Sequence, residues 1–179
     1  MKICVVPRMS AGDHRQLPEC DVALIGFGYI GDVDFDSELS GRSDKFGEFA
    51  RLTKRSGCAA VCGCRTDSRG LKRKSAAVAE DLKSGAYLGL YKLGGYKVGL
   101  CIENDLHFPE NIKSLSLCGC NLLLCLTENV HPISPLLIRA YAYLYGIPVV
   151  MCAGGCAYFA DVTGAIITSV APSRAITTA

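Results

Sequence analysis

Hydrophobic positions fall into short runs broken by glycine, proline and polar turns, and the runs alternate between strand-like and helix-like spacing. Residues 2–6 form a β-branched run ended by Pro7, and residues 21–25 a second one closed by Gly26, Gly28 and Gly31. Phe46, Phe49, Ala50 and Leu52 recur at helical spacing between Ser43 and Ser56, and Gly57 reads as the helix stop. Residues 58–64 predict a buried strand, 65–70 a hairpin turn and 74–80 its return strand. Residues 87–93 and 96–102 predict a strand pair across the Gly94-Gly95 turn. A helix follows over 109–117, with Pro109 early and Gly119 as its stop, and then a strand over 122–126. Residues 134–145 predict a second strong helix, with Ser134 as its cap, Pro135 in its first turn and Gly146 at its end. Strands at 149–153, 157–161 and 165–170 complete the pattern. Hairpins mixed with single helical crossovers predict a layered α/β domain rather than a simple doubly wound sheet.

Length and composition narrow this picture. The 179 residues suffice for one domain with a substantial core, so a single domain over 1–179 is expected. Half of the residues are hydrophobic and 20% are charged, the balance of a folded protein. A net charge of +2 gives little pull toward nucleic acid or membrane. The longest apolar runs are too short to span a bilayer, and the opening residues lack a signal-peptide pattern. A cytoplasmic protein with neither nucleic-acid nor membrane partner is therefore expected. The eleven cysteines are odd in number and sit largely in apolar runs, which predicts reduced thiols. Cys62-Gly-Cys64, Cys118-Gly-Cys120 and Cys152-x3-Cys156 lack the paired spacing of a zinc site, so neither metal nor cofactor is expected.

The most informative stretch is Lys97-Val-Gly-Leu-Cys-Ile-Glu-Asn-Asp-Leu-His-Phe-Pro-Glu110, a strand, a sharp turn and a helix start. It resembles the nucleophile elbow of the carbon–nitrogen hydrolase (nitrilase) superfamily, K-[IV]-G-x-x-I-C-Y-D-x-R-F-P-E. Ile102, Asp105, Phe108, Pro109 and Glu110 match without a gap. Further similar segments occur in family order: Lys74-Ser-Ala-Ala-Val-Ala79, Cys118-Gly-Cys-Asn-Leu-Leu-Leu-Cys-Leu-Thr127, Arg139-Ala-Tyr-Ala-Tyr-Leu-Tyr145 and Thr163-Gly-Ala-Ile-Ile-Thr-Ser169. The resemblance implies a four-layer α-β-β-α sandwich that often dimerises. Tyr141, Tyr143 and Tyr145, with Leu137 and Leu144, spread around the last helix and fit burial on two sides, as at a homodimer interface.

The resemblance also implies a Cys nucleophile, a Glu base and a Lys that stabilises the oxyanion, the parts of covalent acyl transfer. Here Glu103 stands at the nucleophile position, Gly26-Phe27 where Pro-Glu is usual, and Leu93 at the Lys position, with Lys92 one residue early. A one-residue offset turns a strand side chain to the other face. The long loop before the elbow shrinks to Gly94-Gly95. These replacements predict a catalytically degenerate family member acting as a binding or assembly module. The alternative is a divergent hydrolase of amides, nitriles or N-carbamoyl compounds that uses Glu103 or Cys101. Cys101 reads chiefly as a core thiol. Glu103 and Glu128, both at strand ends, form either an acidic pocket for a small cation or amine, or a pair satisfied by backbone N–H groups or Lys92. His107 replaces the usual elbow Arg and is expected to cap or pack. Arg65, Arg69, Lys72, Arg73 and Lys74 predict a solvated basic hairpin.

Overall fold

In the computed structural model the residues described are 1–10, 17–68, 71–79, 83–84, 89–93, 95–170 and 176–178. The chain runs through β1 (Ile3–Val6), β2 (Val22–Ile25), β3 (Gly31–Asp34), α1 (Phe35–Leu39), α2 (Lys45–Ser56), β4 (Ala59–Ser68), β5 (Leu71–Ala79) and β6 (Lys83–Ser84). It continues through β7 (Leu90–Leu93), β8 (Tyr96–Ile102), a 3-10 turn (Glu103–His107), α3 (Pro109–Leu117) and β9 (Leu122–Thr127). Then come α4 (Ser134–Tyr145), β10 (Val149–Ala153), β11 (Cys156–Ala160), β12 (Ile166–Val170) and β13 (Ile176–Thr178).

The strands form two sheets. One runs β13-β1-β2-β4-β3, with β5 antiparallel on the other edge of β4. The second runs β12-β11-β10-β9-β8-β7-β6, with β8, β9 and β10 parallel at its centre. Alternation along each strand decides what each face packs against. From β9, Leu123 and Cys125 point to a cluster with Ile112 and Leu115 of α3 and Ile138 and Tyr141 of α4. Leu122, Leu124 and Leu126 point the other way, onto Val22, Leu24 and Val61 of the first sheet. The far face of that sheet is covered by Phe49 and Leu52 of α2. The result is a four-layer α-β-β-α sandwich, and its two covered faces explain why 122–126 is apolar without alternation.

Predicted and observed elements agree for the core strands and for α2, α3 and α4, and Gly57 and Gly146 close their helices in the left-handed conformation. Three local readings change. β4 runs on to Ser68, through residues expected in a turn, because its second half pairs with β3 as well as β5. Ser134 is the first helical residue and is buried, not the cap; Leu136 and Leu137 donate their N–H groups to the Ile133 carbonyl instead. β3 and α1 were not visible in the pattern, since Gly31-Asp-Val-Asp34 buries a single side chain, Val33. Asp34 caps α1 by accepting from the Asp36 N–H at 3.1 Å. Of the predicted turn at 94–95, Gly94 lies outside the described residues, as does Arg69 of the basic hairpin.

Candidate functional site

The parallel strands of the two sheets end on the same side, and a cleft of about 540 Å³ opens there. One wall comes from Pro7 to Ser10 after β1, another from Gly26, Phe27 and Gly28 after β2, and a third from the turn at Gly154-Gly155 after β10. The glycines after β2 are sterically required. A Cβ on Gly26 would fall onto the Pro7 carbonyl oxygen, and one on Gly28 would come within 2.8 Å of the Met9 carbonyl oxygen. Phe27 lines the cleft and is otherwise buried between the sheets, with its ring seated on Gly63. A Cβ on Gly63 would sit 2.6 Å from that ring, so the two residues fit only as a pair.

Glu103 occupies the turn that follows β8, with φ +52°, the one non-glycine residue in left-handed backbone among the described residues. Such strain persists only where the surroundings enforce it. Asp105 accepts from the Ile102 N–H at 2.9 Å, and Tyr141 of α4 donates to the Leu106 carbonyl at 3.0 Å, pinning the turn from both ends. Both oxygens of Glu103 are engaged. Oε1 accepts from the Glu128 N–H at 2.5 Å, and Oε2 lies 3.3 Å from Lys74 Nζ.

Lys74 also lies 3.1 Å from Glu128 Oε2, and Arg65 binds the same carboxylate through two guanidinium nitrogens. Arg65 continues to Asp32 Oδ1 at 3.0 Å. Arg65 and Lys74 stand directly opposite each other in the β4–β5 ladder, an arrangement that is repulsive on its own. Both follow the parity of Val61, Ala76 and Val78 toward the second sheet, where Glu128 lies against both cations. The network Asp32–Arg65–Glu128–Lys74–Glu103 therefore bridges the sheets beside the cleft. Arg65 holds the Glu128 carboxyl below the usual carboxylate range, with Lys74 adding to the effect. Partial burial pulls Lys74 down, but Glu128 and Glu103 outweigh it and raise the ammonium. Glu128 and then Asp32 raise Arg65.

Of the residues singled out from the sequence, Phe27 and Glu128 meet in the cleft, and Glu103 sits behind Glu128. Lys92 does not join them. It faces Lys97 in the β7–β8 ladder, six positions ahead of Glu103, about 20 Å along the strand. The cations come instead from Arg65 and Lys74, so these two residues of the predicted basic hairpin are not merely solvated. The parity of 61, 63, 65 and of 74, 76, 78 was the available signal for this. Cys101 is buried against α3 and α4 with Leu106 and Cys125, away from the cleft. His107 is exposed and meets His131 edge-on, ring centroids 5.9 Å apart. An acidic pocket for an amine is not what forms, because two cations already neutralise Glu103 and Glu128.

No protein-family model matches the chain. Over 57 residues it is 40% identical to a Pseudomonas protegens protein described as a hydrolase in the pqqF 5′ region, a stretch covering 30% of this chain and 20% of that one. Solved structures are similar over the whole length. The amidase from Nesterenkonia sp. AN1, as a variant carrying acrylamide added at its active-site cysteine, superposes with a TM-score of 0.74 at 14% identity. That superposition covers 100% of this chain and 92% of the amidase. Another variant of the same amidase, in complex with butyramide, gives 0.72 at 14% identity over 99% and 89% of the two chains. Identities this low bear on architecture alone. The two stacked sheets and their flanking helices, shared with these amidases over the whole chain, place it in the carbon–nitrogen hydrolase (nitrilase) fold.

Proposed function

We propose that this chain is a catalytically degenerate carbon–nitrogen hydrolase-like protein whose cleft holds a small molecule without cleaving it by the cysteine route. The observation that carries this reading is the state of Glu103. The residue at the elbow is a carboxylate with both oxygens engaged, by the Glu128 N–H and by Lys74. A carboxyl group tied in this way on both oxygens is a weak nucleophile. Phe27 supplies no base, and the cleft keeps a volume of about 540 Å³ with polar groups at its mouth.

A panel of amides, nitriles and N-carbamoyl compounds assayed with wild type and Glu103→Ala tests the reading. No Glu103-dependent turnover is expected, and reproducible turnover abolished in Glu103→Ala would overturn it. The strained φ of Glu103 favours a second reading, a divergent hydrolase that keeps a reactive elbow. The same panel separates the two, since only an enzyme gives turnover.

We further propose a homodimer formed through α4, where Leu136, Tyr143 and Leu144 are exposed while Tyr141 of the same helix is buried. A cytoplasmic setting fits the cysteines, all eleven of which are unpaired thiols. Among the described residues no helix is long and apolar enough to cross a membrane.

A further inference from the structure

Three charged side chains line the cleft: Arg8, Arg65 and Glu128. Two of them are already committed. Arg65 donates Nε and Nη2 to Glu128 and Nη1 to Asp32, and Glu128 Oε2 lies 3.1 Å from Lys74 Nζ. Arg8 is exposed in the cleft wall, and among the described residues it forms no ion pair with an acid. The cleft therefore presents one guanidinium whose charge no described carboxylate offsets.

The chain around Arg8 is built to hold it there. Pro7 and Met9 on either side are buried, and their carbonyl oxygens lie against Gly26 and Gly28, too close for any Cβ. The Arg8 side chain crosses the Gly154-Gly155 turn between β10 and β11: a Cβ on Gly155 would stand 2.4 Å from Arg8 Nε and 3.2 Å from its Cζ. Both glycines are left-handed, with φ +53° and +83°, as a two-residue hairpin turn requires. The Gly-Gly pair thus closes the hairpin and also leaves room for a guanidinium over its backbone. The inner part of the cleft carries no charge. Phe27 and Cys152 line it and are buried, and burial pushes the Cys152 thiol up to about 12, so it stays protonated at neutral pH.

We propose that the cleft takes a small monocarboxylate, its carboxylate paired with Arg8 and its apolar body directed toward Phe27 and Cys152. This deepens the small-molecule reading given above and rests on it. A guanidinium offers parallel N–H donors that match the two oxygens of a carboxylate, so one free arginine supplies both charge and orientation. A neutral amide of the same shape leaves that charge unmet. Phosphate brings further charge, and with Arg65 committed no second free cation among the described lining residues meets it. An amine is repelled by Arg8. The volume of about 540 Å³ lies in the range of small-molecule sites. Because Arg8 is exposed, the pair forms at the mouth of the cleft, where added salt weakens it.

The test is an NMR titration of the isotope-labelled full chain with phenylacetate, phenylacetamide and inorganic phosphate, read on backbone amide and arginine Nε–H signals. Phenylacetate should bind saturably, about tenfold or more tighter than phenylacetamide or phosphate, and shift the Arg8 Nε–H signal. Arg8→Gln should remove about tenfold or more of that affinity, and Arg8→Lys should recover part of it, since an ammonium keeps the charge without the fork. Phenylacetate bound equally by wild type and Arg8→Gln, or bound no tighter than the amide or phosphate, would overturn the proposal and leave the small-molecule reading standing. Failure of phenylacetate to bind wild type would overturn it as well. The wild-type comparison of acid with amide decides the matter even where a variant folds poorly. Turnover of phenylacetamide lost in Glu103→Ala would instead overturn the degenerate reading and leave the Arg8 assignment intact.

Discussion

Replacing Lys74 by Met tests whether the charge network is what holds the two sheets together at the cleft. Lys74 Nζ stands 3.3 Å from Glu103 and 3.1 Å from Glu128. At an effective dielectric near 20, a pair at that separation attracts by roughly 5 kcal/mol before desolvation is charged against it. The ammonium is 37% exposed and the carboxylates 21% and 22%, so solvent screening removes most of that. Exposed pairs are worth about 0.2–1 kcal/mol, and this partly buried, doubly paired lysine should be worth about 1–2 kcal/mol. The assay is urea unfolding of wild type, Lys74→Met, Glu103→Gln and the double variant. A coupling of about 0.5–1 kcal/mol is expected from that cycle. The sign with pH follows from Glu128. Its folded pKa is depressed by Arg65 and Lys74, so its contribution is fully present above the unfolded Glu value, about 4.3. That contribution is lost as pH falls through the lower folded value. Glu128→Gln should therefore flatten the acid limb below about pH 4. A coupling under about 0.3 kcal/mol, together with an unchanged acid limb in Glu128→Gln, would refute the network as a stabilising bridge.

Three further changes probe the site and the surface. Gly63→Ala puts a Cβ 2.6 Å from the Phe27 ring and should destabilise by about 1–3 kcal/mol, read as a lower urea midpoint at unchanged slope. Tyr141→Phe leaves the Leu106 carbonyl without the hydroxyl that lies 3.0 Å away and should cost about 1–2 kcal/mol, with the largest hydrogen-exchange gain in the 3-10 turn. Leu144→Glu places a charge on the exposed face of α4 and should shift sedimentation toward the monomer; an unchanged profile would remove α4 from the interface.

Much of the fold could be read because the core strands announce themselves. Residues 122–126 and 149–153 are apolar at every position, which only a strand covered on both faces requires. The helices α3 and α4 carry proline at their starts and glycine at or just past their ends, so their bounds were legible to within a residue. What escaped had little local signal. β3 buries one side chain, and the end of β4 reads as a polar turn because its partners come from β3, far away in sequence. Propensity is silent on pairing of that kind.

The site shows the same division in sharper form. The position of Glu103 was legible from the elbow motif alone, because a turn geometry belongs to a contiguous segment. Its partners were not, because they arise from which face a distant strand presents. Lys92 looked closer to the site in the family pattern, yet the register of β7 on β8 carries it to the far end of the strand. Lys74 looked like one more surface charge, yet its parity with Ala76 and Val78 turns it toward the second sheet. Once Lys74 and Arg65 face inward as opposed cations, an acid between them is needed to offset the repulsion, and Glu128 sits within reach of both. Glu103 then fits as the second acid on Lys74. The carboxylate at the elbow is thus explained by the cations that face it, with no reacting group required to account for its presence.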